Sequence, residues 1–288
     1  LAARDRSERF AAVAHALALL GLAGEAAADL GARGPASLQI GLIDALHGLD
    51  EATVLAGVHV ALNRRHGFDP TLCLVTDPHL VGQRSVENVA LAAVRGGATM
   101  VQLRDKAAST RALLEVAVRL KAALAPLGVP LLVNDRVDVA LAARADGVHL
   151  GQSDMPASEA RRLLGPDAVI GVSVVTEADA ASIDRGAVDY VGLGPVFQTD
   201  TKVDAPVPVS PETRAVLVRA LAPLPVMAIG GVTAENLAPA IRDGAAGVAV
   251  ISAICSTPDP EVAAHCLREA VEAARAERRR SNGGAPAV

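Results

Sequence analysis

Residues 131–154 read LLVNDRVDVALAARADGVHLGQSD. Three apolar residues open the stretch, and Asn134, Asp135 and Arg136 end that run. An Ala-rich segment with helical spacing follows at 137–143, punctuated by Asp146-Gly147. A second apolar run at 147–150 then ends in Gly151, Gln152, Ser153 and Asp154. Both apolar runs are too short for a helix and are apolar on both faces, as strands buried in a parallel sheet are. The stretch is therefore strand, helix, strand, with polar residues gathered where each strand ends.

The same unit repeats outward in both directions. Strands are expected at 71–76, 100–103, 131–133, 147–150, 169–174, 190–193, 226–229 and 247–251. Helices are expected at 85–95, 111–124, 137–143, 156–164, 177–185, 211–221, 234–242 and 260–279. Eight units in about 210 residues fit a closed (β/α)₈ TIM barrel, an α/β fold, better than an open doubly wound sheet. Gly96-Gly97, Gly147 and Gly244 read as helix C-caps that lead into strands. Residues 1–66 have another character: helical runs at 8–20, 38–46 and 51–63, broken by Gly31, Gly34-Pro35 and Gly48, with no strand pattern. A break at His66-Gly67-Phe68-Asp69-Pro70 separates this N-terminal helical extension, 1–66, from a barrel domain at 67–280 and a flexible tail at 281–288. The first residue is Leu, which suits a piece of a longer chain.

Composition narrows the function. Apolar residues make up 51% and aromatics 1%, so the core must be built from Ala, Val, Leu and Ile. A net charge of −5 and the scarcity of stacking rings argue against a nucleic-acid groove. Arg278-Arg279-Arg280 reads as a solvated helix end. No apolar run approaches the roughly 20 residues of a membrane span. Cys73, Cys255 and Cys266 lack metal-ligand spacing, and an odd count without a signal peptide points to reduced, cytoplasmic thiols.

Enzymes of this architecture carry their chemistry at the C-terminal ends of the strands. Polar residues gather there: Thr76-Asp77, the series Gln102-Leu103-Arg104-Asp105-Lys106, Asn134-Asp135-Arg136, His149 to Asp154, Ser173, Gly194 to Lys202, Gly230-Gly231 and Ser252. Asp135 and Asp154 close neighbouring strands and could share one Mg²⁺, a hard cation that takes one or two carboxylates. Each could instead cap a helix or pair with Arg136 or Arg104. Gln102, Arg104 and Lys106 alternate and so share a face; with Lys202 they supply three positive charges, as a departing diphosphate requires.

The series QLRDK, VNDR, DGVHLGQSD, GVSV, GPVF-x-T-x-TK, AIGGV and VISAI, in this order over residues 71–275, resembles thiamine-phosphate synthase. The resemblance implies a transferase that joins hydroxymethylpyrimidine diphosphate to hydroxyethylthiazole phosphate with Mg²⁺. It assigns Gln102, Leu103, Arg104, Asp105, Lys106, Asn134 and Lys202 to the pyrimidine diphosphate. Ser173 would contact the pyrimidine, and Asp135 and Asp154 would bind Mg²⁺. Thr199, Thr201, Gly231, Ile251 and Ser252 would hold the thiazole phosphate. Lys202, Arg104 and Ser173 are the implied catalytic groups. The implied mechanism is dissociative: diphosphate leaves first, and the thiazole nitrogen attacks the pyrimidine-methyl cation.

Three positions depart from the family pattern: Val203 where a second Lys is common, Cys73 where Tyr is frequent, and Val175 where His is frequent. They bear on substrate affinity and touch neither a metal ligand nor the loop lysine. A related thiazole tautomerase on the same barrel is expected to use His near position 175, so Val175 argues against it. A catalytically silent scaffold is the remaining alternative, which the complete rim set disfavours. Gly24-Glu25-Ala26-Ala27, Gly34 to Gln39 and Ile43 to Leu46 resemble the C-terminal end of hydroxyethylthiazole kinase. That implies association with, or fusion to, a thiazole kinase domain in a longer protein. The alternative is a helical extension packed on the barrel.

Overall fold

The computed structural model describes residues 68–199 and 207–282 continuously, with isolated helical positions at 20, 23, 39 and 42–46 before them. The remainder of the helical runs expected in 1–66 lies outside the described residues. The chain divides into two units, Leu1–Asn63 and Arg64–Val288, and the architecture below belongs to the second.

Eight parallel strands close on themselves in sequence order. They are β1 Leu72–Val75, β2 Met100–Leu103, β3 Leu131–Asn134, β4 Gly147–Leu150, β5 Val169–Val174, β6 Tyr190–Leu193, β7 Val226–Ile229 and β8 Gly247–Val250. β1 pairs with β8, Leu72 opposite Val248, which seals the barrel. The helices are α1 Val86–Arg95, α2 Thr110–Leu124, α3 Val137–Ala143, α4 Ala157–Leu164, α5 Glu177–Ala181, α6 Pro211–Leu221, α7 Ala238–Arg242, α8 Ser252–Cys255 and α9 Pro260–Asn282. Local chemistry sets their starts. The side chains of Ser85, Ser109 and Ser210 accept the N–H groups of Asn88, Ala112 and Thr213, and Thr176 with Asp179 forms a capping box on α5.

Alternation within each strand divides the core. Cys73, Val75, Met100, Leu132, Val169, Tyr190 and Met227 fill the barrel interior, with Phe68 packed against them. Leu72, Leu74, Val101, Leu103, Leu131 and Val133 point outward to the helices. There α2 presents Leu113, Ala117, Leu120 and Leu124, one stripe at helical spacing. Burying each such Leu contributes about 1.5–3 kcal/mol, so the shortage of aromatics is no obstacle to a stable barrel.

Several expectations need correction. Gly147 caps no helix: it is the first residue of β4, and α3 ends instead on Arg144 in the left-handed region, φ 52°. Gly147 is required by space, since a Cβ there would lie 1.8 Å from the Val169 carbonyl oxygen of β5. The helices expected at 177–185 and 234–242 are shorter, Glu177–Ala181 and Ala238–Arg242, and α9 runs past its expected end to Asn282. Arg278 is only partly exposed: its guanidinium donates to the carbonyls of Ile241 and Ala245, tying α9 to the end of α7, while Arg279 and Arg280 are exposed as expected. Among the described residues no helix is long and apolar enough to cross a membrane.

Candidate active site

The C-terminal ends of the strands surround a cavity of about 230 Å³. Strand β2 and its extension supply Gln102, Arg104 and Lys106 to it; β3 supplies Asn134 and Asp135. Beyond β4 come Ser153 and Asp154, while Ser173 comes from β5, Thr199 from the chain after β6, Gly231 from just beyond β7, and Ile251 and Ser252 from the step between β8 and α8. Among the described residues the predicted set thus converges, with two exceptions. Leu103 has the opposite parity to Gln102 and is buried in the layer between sheet and helices. Asp105 accepts the N–H groups of Ala107 and Ala108, so its carboxylate closes a turn. The side chains of Leu103 and Asp105 are therefore not part of the cavity wall. Thr201 and Lys202 lie outside the described residues.

Asp135 is aimed by its backbone. Its φ of 63° and the bond from the Arg136 N–H to the Asn134 carbonyl make a tight three-residue turn, a strained conformation for a residue with a side chain. The Asp135 N–H donates to the His149 carbonyl at 2.9 Å, anchoring the turn on β4. Asp154 is fixed from the other side, accepting the Gly151 N–H at 2.7 Å. The two carboxyl groups line the same cavity, close enough to influence each other. Burial, then Asp154 itself, pushes the Asp135 carboxyl above the usual carboxylate range, and Lys106 opposes the shift. The Lys106 ammonium lies 3.6 Å from Asp135.

The alternative partners are taken. Arg136 pairs with Asp138 at 2.6 Å, and Arg104 pairs with Asp77 at 3.6 Å. Neither arginine neutralises the neighbouring carboxylates. Among the described residues no group of three or more His, Cys, Asp or Glu side chains surrounds a metal position. Two hard oxygen donors beside the cationic Arg104 and Lys106 have the chemistry that suits Mg²⁺, an ion that takes one or two protein carboxylates.

The family sequence profile described as Thiamine monophosphate synthase matches residues 72–254, the span that builds this rim. The chain belongs to the thiamine-phosphate synthase family. It is 55% identical over 208 residues to the thiamine-phosphate synthase of Xanthobacter autotrophicus, covering 72% of this chain and 98% of that protein. The relative from Azorhizobium caulinodans is 47% identical over 210 residues, with 73% and 99% covered. Among solved structures, the thiamine phosphate pyrophosphorylase from Pyrococcus furiosus is 35% identical with a TM-score of 0.64, covering 72% of this chain and 97% of that one.

This synthase-family site also gives work to two residues that the sequence reading placed at the rim without a role. His149 lines the cavity between Ser173 and the buried Tyr190, and Asp77 holds Arg104 from below. The signal was there: a histidine within a four-residue apolar strand, and an aspartate just past the end of one, must each find a partner when buried.

Proposed function

We propose that the chain condenses hydroxymethylpyrimidine diphosphate with hydroxyethylthiazole phosphate, releasing diphosphate and forming thiamine phosphate. Family membership supports the reaction class. The observation that carries the reading here is the neighbouring pair Asp135 and Asp154 beside Arg104 and Lys106 in one cavity.

Asp135 and Asp154 would hold one Mg²⁺. The metal would supply positive charge to the diphosphate oxygens as they become a leaving group. Arg104, Lys106 and the loop residue Lys202 would add to that charge, with Gln102 and Asn134 orienting the same substrate. Ser173 would hold the pyrimidine, and Thr199, Thr201, Gly231, Ile251 and Ser252 the thiazole phosphate. The methylene C–O bond breaks with its electron pair leaving on diphosphate. The thiazole nitrogen lone pair then forms the C–N bond. No proton has to be removed from the nucleophile, so the work of the site is alignment and charge stabilisation. Thiamine phosphate formation from the two substrates, with and without Mg²⁺, tests the reading.

Residues 1–66 fit a remnant of a thiazole kinase end, on the three motifs quoted above, and a kinase domain would then accompany the synthase in a longer protein. Deleting 1–66 should leave synthase activity unchanged; an insoluble or inactive barrel would contradict the reading. Three unpaired cysteines support a reducing, cytoplasmic setting.

A further inference from the structure

Beneath the cavity runs a buried polar chain to which substrate binding alone assigns no role. Ser173 Oγ lies 2.9 Å from His149 Nε2, and His149 Nδ1 lies 2.9 Å from the Tyr190 hydroxyl. The Gln102 side chain lies beside the same hydroxyl. Strands β2, β4, β5 and β6 contribute one member each. Gln102, His149 and Ser173 face the cavity, whereas Tyr190 is 2% exposed and packs against Phe68 at 5.6 Å between ring centroids.

The neighbouring strands are cut back around this chain. A Cβ on Gly171 would sit 2.2 Å from Tyr190 Cζ, and one on Gly192 would sit 2.9 Å from His149 Cε1. Glycine within a strand weakens it and marks a close approach. Here the two glycines make room for the phenol and the imidazole in an otherwise filled barrel.

Chemistry gives the chain a direction. Burial first of all pushes the Tyr190 phenol well above its ordinary range, so it remains an O–H donor across neutral pH. We assign the phenol hydrogen to His149 Nδ1, its partner at 2.9 Å. A neutral imidazole that accepts at Nδ1 carries its proton on Nε2. That N–H then occupies a lone pair of Ser173 Oγ and leaves the serine hydrogen to point into the cavity.

We propose that Tyr190 and His149 are positioning residues that fix Ser173 as a hydrogen-bond donor to an acceptor atom of the pyrimidine substrate. The proposal rests on the pyrimidine-binding role given to Ser173 and Gln102 above. Nitrogen-15 spectra of the ligand-free protein, with the His149 signals identified by their loss in His149→Gln, read the tautomer directly. A neutral ring protonated at Nε2 is expected. Tyr190→Phe keeps the ring and its packing but removes the hydroxyl. It should give a tautomer mixture and raise KM for the pyrimidine diphosphate about tenfold, with KM for the thiazole phosphate within about twofold. A wild-type proton on Nδ1 would overturn the proposal, as would a Tyr190→Phe variant that retains both the tautomer and the pyrimidine KM. Should the wild type make no thiamine phosphate, the proposed reaction fails, and the wild-type tautomer alone decides whether the chain runs in this direction.

Discussion

Asp77 holds Arg104. The carboxylate lies 3.6 Å from the guanidinium, and the side chains are 11% and 13% exposed. The same carboxylate accepts the His79 N–H at 2.9 Å, and the Arg104 N–H donates to the Thr76 hydroxyl at 2.9 Å. The end of β1 therefore fixes a cation that β2 delivers to the cavity. Removing one partner of a nearly buried pair is strongly unfavourable, typically about 3–5 kcal/mol. Asp77→Asn keeps the shape and the turn but frees the guanidinium. We expect kcat/KM for the pyrimidine diphosphate to fall at least about tenfold in a variant that still melts cooperatively. Unchanged kcat/KM would show that Arg104 needs no such anchor.

If the proposed Mg²⁺ site is right, the neighbouring carboxylates should make stability depend on metal. A carboxyl whose folded pKa is raised stabilises the fold while protonated; that contribution is present below its unfolded pKa and is lost as pH rises through the folded value. Asp135 is shifted in this direction by burial and by Asp154. At neutral pH the metal-free protein therefore carries an unfavourable pair, which a divalent cation bound there would relieve. Mg²⁺ should raise the melting temperature of the wild type, and Asp135→Asn should melt higher than wild type without metal while losing the Mg²⁺ response. Equal Mg²⁺ responses in the two proteins would remove Asp135 from the metal site.

The three thiols should differ sharply. Burial pushes Cys73 up to about 12 and Cys255 up to about 11. Cys266 is exposed on α9. A thiol reagent at neutral pH should titrate one cysteine quickly in the native protein and all three after denaturation, because the thiolate is the reactive form. Rapid native labelling of two or more would contradict the packing around β1 and α8.

Gly147 tests the seam between β4 and β5. Its α-hydrogen face meets the Val169 carbonyl, where a Cβ would lie 1.8 Å away. Gly147→Ala must push β5 aside, a backbone shift that should cost about 3 kcal/mol or more. Denaturant titration measures it, and a loss below about 1 kcal/mol would mean that the strands separate easily there.

Much of this was legible in the sequence because a parallel strand buried on both faces leaves an unbroken apolar run. The run that stops at Leu103 locates β2, and the alternation of Gln102, Arg104 and Lys106 places all three in the cavity. Asp135 and Asp154 were legible for the same reason, each following one of two adjacent strands. Parity also explains why the Leu103 side chain stays out of the cavity wall: it points the other way from its neighbours. The chain from Gln102 to Ser173 was not legible. It depends on which strand residues meet across the barrel interior, and on glycines in one strand that clear space for rings from another. Local pattern holds no record of those distances.

The central claim is tested most directly by mixing the purified chain with hydroxymethylpyrimidine diphosphate and hydroxyethylthiazole phosphate and following thiamine phosphate. With Mg²⁺, wild type should form thiamine phosphate and diphosphate in equal amounts. Chelation of the metal, or Asp154→Ala in a folded protein, should lower the rate at least about a hundredfold. No product from wild type, or a rate indifferent to both Mg²⁺ and Asp154, would contradict the account.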